Sequence, residues 1–185
     1  AYETVCQDAQ GWLRDGLMDQ LYPMMYFQGE QFFPFAIDWK ERSYGRTVVP
    51  GLGIYFMSEK EKNWDSDIIE REMYVLRTFD LGHAYFRSKF FTDNTKGIYD
   101  FAADEFDRYP ALTPAMTWAS NTQPSAPESF NVTNTDTAVI ISWKNDPAHS
   151  GQTYLTYNIY GSQEYPVNTD DARNIIATRV SGNRI

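Results

Sequence analysis

The chain has 185 residues and a formal net charge of -9, so it has no excess of Lys or Arg to replace the counterions of a nucleic-acid backbone. Its single cysteine, Cys6, excludes an intrachain disulfide and a multi-cysteine zinc site, and His83 and His149 are too few and too far apart for a histidine metal cluster. The hydrophobic share of 42% is ordinary for a globular protein, but an aromatic share of 16% is high and needs a reason.

No stretch reads as a signal peptide or reaches membrane-spanning length. Ala1 falls inside what reads as a helix, so a preceding segment is expected. Residues 3–14 carry Val5, Ala9, Trp12 and Leu13 at a spacing that lines one helical face. Gly16 supplies the left-handed position at which helices end. Residues 20–27 are an uncharged run rich in aromatics, which predicts a strand buried on both faces. A loop with polar residues and a glycine follows, at the strand end where α/β folds place their chemistry. Tyr26, Gln28 and Glu30 stand at that mouth. Residues 35–42, with Ile37 and Trp39, predict a loop and a helical turn.

Residues 47–57 form a second uncharged apolar run in which Pro50, Gly51 and Gly53 break the ordinary rules of a strand. A strand with a bulge or a close ligand approach is the preferred reading, and a plain loop is the other. Residues 63–82 predict a helix. Ser66 or Asp67 can cap it, and Glu70 follows Asp67 by three as in a capping box. Ile69, Met73, Leu76 and Phe79 make its apolar stripe, and Gly82 stops it. Residues 83–91 predict a third strand running into a loop. Asn94 caps a further helix with Ile98, Phe101, Ala102 and Phe106 on one face, ended by Pro110. Helices and strands alternating in this way predict a parallel α/β sheet.

Composition changes at residues 119–127, which are polar and carry prolines, as a linker does. Beyond them the pattern has period two: Phe130 with Val132, then Val139, Ile141 and Trp143, then Tyr157, Ile159 and Tyr160, and finally residues 175–180. Turn residues separate these runs, which predicts a β-sandwich with Trp143, Tyr157 and Tyr160 in its core. Asn131-Val132-Thr133 matches a glycosylation acceptor, a triplet that is frequent by chance.

Two resemblances add to this reading. Gly16-Leu17-Met18-Asp19 leading into Tyr22-Pro23-Met24-Met25-Tyr26, then Gly51-Leu52-Gly53-Ile54-Tyr55, Gly82-His83-Ala84-Tyr85-Phe86-Arg87 and residues 110–118 together resemble the bacterial glycosyl hydrolase-like 10 family. That family comprises secreted proteins with a (β/α)8 TIM barrel. The match implies that residues 1–118 are the C-terminal portion of such a barrel, about the last three of its eight strands. Many members of that family have a glutamine after the proline of the first motif, whereas this chain has Met24, so a role assigned to that amide does not carry over to this position. Pro124-Ser125-Ala126-Pro127, Ser142-Trp143 and Tyr157-Asn158-Ile159-Tyr160 resemble a fibronectin type III domain, an immunoglobulin-like all-β sandwich. Residues 119–127 would be the linker and residues 128–185 a partial domain, with room for about five of seven strands. Both domains thus read as cut, the barrel at its front and the sandwich at its back.

The resemblance implies a secreted, periplasmic or cell-surface bacterial protein that hydrolyses a polysaccharide or oligosaccharide by carboxylate acid/base chemistry without a cofactor. Its rival is a non-catalytic glycan-binding or structural surface protein. Tyr26, Tyr55 and Phe86, near the ends of three successive strands, read either as a sugar-stacking platform helped by Gln28 and Arg87 or as filling of the barrel interior. Arg87 could equally pair with a barrel carboxylate. Trp39 and Trp64 read as sugar platforms or as packing over the rim.

Hydrolysis usually needs two carboxyl groups. The candidates are Glu30 and Asp38 after the first strand and Glu59 after the second, with Asp65 and Asp93 behind them. In an acidic chain each reads by default as a solvated loop carboxylate, and no pair stands out. Glycosidase barrels often carry an acid on the fourth strand, which lies outside this stretch. No metal is implied. A cut barrel leaves an unpaired edge on residues 20–27, so the chain is expected to self-associate or to pair with the missing barrel portion.

Overall fold

The computed structural model describes residues 2–145 and 155–185. His149 lies outside the described residues. The chain divides into two compact units, Ala1–Arg108 and Tyr109–Ile185. Residues 110–118, grouped with the barrel by sequence, therefore fall with the second unit.

In the first unit three extended runs lie side by side and parallel. β1 (Gln20–Leu21) pairs with β2 (Thr47–Val48), Gln20 opposite Thr47 and Leu21 opposite Val48. The same two runs meet again where Met24 faces Gly51, with the Gly51 N–H donating to the Pro23 carbonyl at 2.8 Å. β3 (Gly51–Leu52) pairs in parallel with β4 (Ala84–Tyr85). The middle run thus serves both ladders, and its break falls at Pro50, which has no N–H to donate. The pairing continues past β4, where the Phe86 N–H donates to Leu52 at 2.9 Å and the Tyr55 N–H donates to Phe86 at 3.2 Å. No barrel closes among the described residues.

Several elements differ from the sequence expectation. The first helix is two pieces, α1 (Tyr2–Val5) and α2 (Ala9–Arg14). Cys6 takes a left-handed φ of 53°, and the Asp8 carboxylate accepts the Gly11 N–H to start α2 afresh. α2 ends as expected at Gly16, whose φ is 72°, with the Leu17 N–H on the Trp12 carbonyl at 2.9 Å. The run 20–27 is not a strand buried on both faces. Met25 is buried, but Tyr22 and Met24, which alternate with it onto the other face, are exposed, as is Phe27, so one face of the run is open.

Residues 35–42 are the body of a helix rather than a loop with a turn. α3 (Phe33–Glu41) carries Pro34 in its first turn, where a missing N–H costs nothing, and seats Ala36 in the core. The third strand ends at Tyr85, and α5 (Ser88–Thr92) replaces its expected continuation.

α4 (Ser66–Thr78) has Ile69, Met73 and Leu76 fully buried, as its stripe predicts. Its capping differs at both ends. The residue before it is Asp65, whose side chain makes no cap and lies 3.5 Å from the Lys96 ammonium. It stops at Asp80, not Gly82. Asp80 has a φ of 50°, its N–H reaches Arg77 at 3.0 Å and the Leu81 N–H reaches Leu76 at 2.9 Å, the paired bonds of a left-handed C-terminal cap. α6 (Ile98–Phe101) begins under Asn94, whose side-chain oxygen accepts the Tyr99 N–H at 2.9 Å, and it widens into a π-helical turn, Ala102–Phe106. Ile98, Ala102 and Phe106 join the core.

The second unit holds two antiparallel pairs: β5 (Glu128–Asn134) with β6 (Val139–Lys144), and β7 (Thr156–Tyr160) with β8 (Ile175–Ser181). After Gly182, with φ 90°, the chain crosses to β6, where Ile185 and Ile141 exchange backbone bonds of 3.0 and 2.9 Å. Trp143 and Ile159 are buried, and the Trp143 and Tyr157 rings meet edge to face at 4.9 Å. Phe130 and Val132, expected to alternate into a core, are both exposed. Among the described residues β5 pairs with β6 alone, and its apolar face has no covering layer.

Candidate functional site

The three parallel runs deliver one aromatic ring each from their carboxyl ends. Tyr26 follows the first, Tyr55 the second and Phe86 the third. Alternation along the third run turns Phe86 away from Tyr85, which packs on Met73 of α4 and stacks on Phe91. The Tyr26 and Phe86 rings stack at 5.6 Å with 22° between their planes. Tyr55 stands edge-on to both, 5.9 Å from Tyr26 and 5.6 Å from Phe86.

The glycines that weaken the middle run as a strand explain how these rings meet. A Cβ on Gly51 would stand 3.2 Å from Cε1 of Tyr26, and one on Gly53 would stand 3.1 Å from its Cβ. The Tyr26 ring thus lies directly on backbone that only glycine leaves open. Both expected readings were partial. The run is extended as far as Leu52 and then turns 3₁₀ over Ile54–Met57. Burial pushes the Tyr26 hydroxyl above its ordinary value, with Tyr55 adding to the shift.

The cluster extends further than the sequence suggested. Phe56 lies 4.0 Å from Tyr55, and Trp64 lies 4.8 Å from Phe56. The Lys62 ammonium sits over the Phe56 face at 3.7 Å and 5.5 Å from Trp64. A tyrosine and a phenylalanine side by side at the end of an apolar run are the signal that could have found Phe56. Trp39, the other loop tryptophan of the sequence reading, is on α3 and packs on the core.

The other predicted residues distribute as follows. Arg87 is exposed directly after Phe86, with its guanidinium 5.5 Å from the Phe90 ring and no carboxylate partner among the described residues. Gln28 is exposed ahead of a 3₁₀ turn, Gly29–Gln31, that contains the equally exposed Glu30. Glu59 is exposed in the loop after Met57. Asp38 lies on α3, where Gln10 donates to it at 2.6 Å and Arg42 pairs with it at 3.1 Å. It is a bridge between helices.

One carboxyl escaped the sequence reading. Glu72 of α4 is 1% exposed, and neither of its oxygens has a hydrogen-bond partner among the described residues. Burial pushes it up to about 8, with Arg71 opposing. Its spacing from Ile69 and Leu76 puts it on their face, and that spacing was legible. Among the described residues no cluster of His, Cys, Asp or Glu could hold a metal ion, and no helix is long and apolar enough to cross a membrane. Compared with protein-family models, with curated proteins and with solved structures, the chain matches none.

Proposed function

We propose that this chain carries the sugar-stacking part of a glycoside-hydrolase-like protein of the glycosyl hydrolase-like 10 type. It would act on a polysaccharide or oligosaccharide outside the cytoplasm. The observation that carries the reading is the meeting of Tyr26, Tyr55 and Phe86 from the ends of three adjacent parallel runs. Tyr26 packs on the glycine backbone and on Phe86, so the exposed Phe86 ring, held in place by Tyr26 and Tyr55, gives a sugar ring apolar area to lie on, while neighbouring polar groups bond its hydroxyls. Gln28 and Arg87 follow the rings in sequence and are exposed, with no side-chain hydrogen bond among the described residues. The scaffold is the C-terminal part of a (β/α)8 barrel with a partial fibronectin type III module behind it. Cleavage in the complete protein would use two carboxyl groups on opposite sides of the scissile bond.

A second reading, non-catalytic glycan binding, is favoured by the carboxylates themselves. Asp38 is taken by Gln10 and Arg42, and Glu30 and Glu59 are exposed on separate loops. The test is an array of neutral and acidic oligosaccharides, read for both retention and cleavage. Retention lost with Tyr26→Ala supports the platform, and product formation separates enzyme from binder. No retention of any oligosaccharide sinks both readings.

A further inference from the structure

We infer that the aromatic cluster selects a glycan carrying an anionic substituent, a carboxylate or a sulfate, and that Lys62 and Arg87 read that charge. The inference rests on the glycan-platform reading above and names its substrate class. The rings form a continuous path from Phe86 through Tyr26 and Tyr55 to Phe56 and Trp64. A cation belongs to each end. Arg87 follows Phe86 in the chain, and Lys62 lies 3.7 Å from the centre of the Phe56 ring.

What these two cations share is a ring face, which the neighbouring Lys60 lacks among the described residues. Nearby, Lys89 of α5 is paired with Asp93, and Lys96 lies 3.5 Å from Asp65. Neither Lys62 nor Arg87 has a carboxylate partner among the described residues. Both are held by rings instead, Lys62 by Phe56 and Trp64 and Arg87 by Phe90. A ring face fixes the position of a cation without cancelling its charge. In a chain of net charge -9, the Lys62 ammonium and the Arg87 guanidinium are two cations placed beside one aromatic surface, although Glu59 and Glu61 precede Lys62 closely in sequence. A sugar acid lying on the rings would have a cation within reach at each end of the cluster. An Arg guanidinium matches an anionic oxygen pair by geometry, and a Lys ammonium adds a point charge.

The experiment is titration calorimetry of the full 185-residue chain at low ionic strength. One arm compares oligogalacturonate and hyaluronan oligosaccharides with their methyl esters, which keep the rings and lose the charge. The other compares a sulfated oligosaccharide with its desulfated form. The expected result is at least tenfold tighter binding of the charged member in one arm, which also identifies the anion. That preference should fall several-fold in Lys62→Gln and in Arg87→Gln, and it should shrink as salt is added. Both side chains are exposed, so the variants should keep the parent circular dichroism. Equal binding of charged and neutral members, abolished by Tyr26→Ala, overturns the inference and leaves the platform standing. A charge preference unchanged in both variants also overturns it. Absence of binding in every arm overturns the inference together with the function on which it rests.

Discussion

A methyl group on Gly53 would stand 3.1 Å from the Cβ of Tyr26, closer than ordinary packing allows. It would also stand 3.2 Å from a ring carbon of Phe56, so the methyl presses on two aromatic residues at once. We expect Gly53→Ala to cost about 1–3 kcal/mol through overpacking and to weaken sugar binding by turning Tyr26 out of its stack. Denaturant unfolding and a sugar titration on the same variant check this. A variant with parental stability and parental affinity would show that the backbone yields.

If Tyr26 and Tyr55 form a sugar platform, Tyr26→Ala and Tyr55→Ala should each weaken glycan binding by about 0.5–1.5 kcal/mol beyond lost area. Far-ultraviolet circular dichroism should be unchanged. Full affinity with a large fall in melting temperature would assign both rings to the core.

Tyr85 provides the opposite case, because it faces the helices. Its hydroxyl lies 3.0 Å from Nε2 of His83 and 3.6 Å from the sulfur of Met73. Tyr85→Phe should therefore cost about 1 kcal/mol of stability and leave glycan affinity untouched. A fall in affinity larger than the fall in stability would mean that the two faces of the third run are coupled.

Glu72 sets a pH dependence whose sign can be worked out. Burial raises its carboxyl from 4.5 to about 8 in the folded chain. Between those values the folded state keeps a proton that the unfolded state has released, so stability falls as pH rises through the window. The loss from this group is about 3–5 kcal/mol when complete, and it levels off above the folded value. Glu72→Gln keeps the shape without the ionisation, so the variant should match the parent near pH 5 and exceed it near pH 9. Urea midpoints at the two pH values decide it. Parallel pH profiles would mean that Glu72 is ionised and solvated at neutral pH.

The outer edge of the first run should drive self-association. Gln20, Tyr22 and Met24 alternate with the residues bonded to the middle run, so their backbone groups face away from the sheet. Around them an open groove of about 900 Å³ is lined by Trp12, Tyr22, Met24, Phe27 and Phe35 among others, and Met24 is 73% exposed. An apolar edge of this kind templates pairing with another chain. Light scattering on the purified chain should show oligomers at tens of micromolar, and Tyr22→Lys with Met24→Lys should restore the monomer. A parental monomer at that concentration would show that the edge is protected in another way.

Sequence alone determined the elements whose signals are local. The stripe of Ile69, Met73 and Leu76 placed α4, and Gly16 marked the end of α2, because helical period and a left-handed glycine need no distant partner. The extended character of the three runs, and the aromatic residue at the end of each, were legible for the same reason. Tertiary structure decided what depends on neighbours. Whether residues 20–27 are buried depends on what packs over each face, and the face of Gln20, Tyr22 and Met24 is open. Asp65, just before α4, makes no cap and lies instead beside Lys96, which is distant in sequence. Asp38 is a helix bridge and not a free loop acid because folding brings Gln10 and Arg42 to it. Gly51 and Gly53 look like breaks in a strand until the Tyr26 ring is seen lying on them. Charge shows the same division: sequence counts an acidic chain, but only the fold sets Lys62 and Arg87 on rings with no carboxylate partner among the described residues.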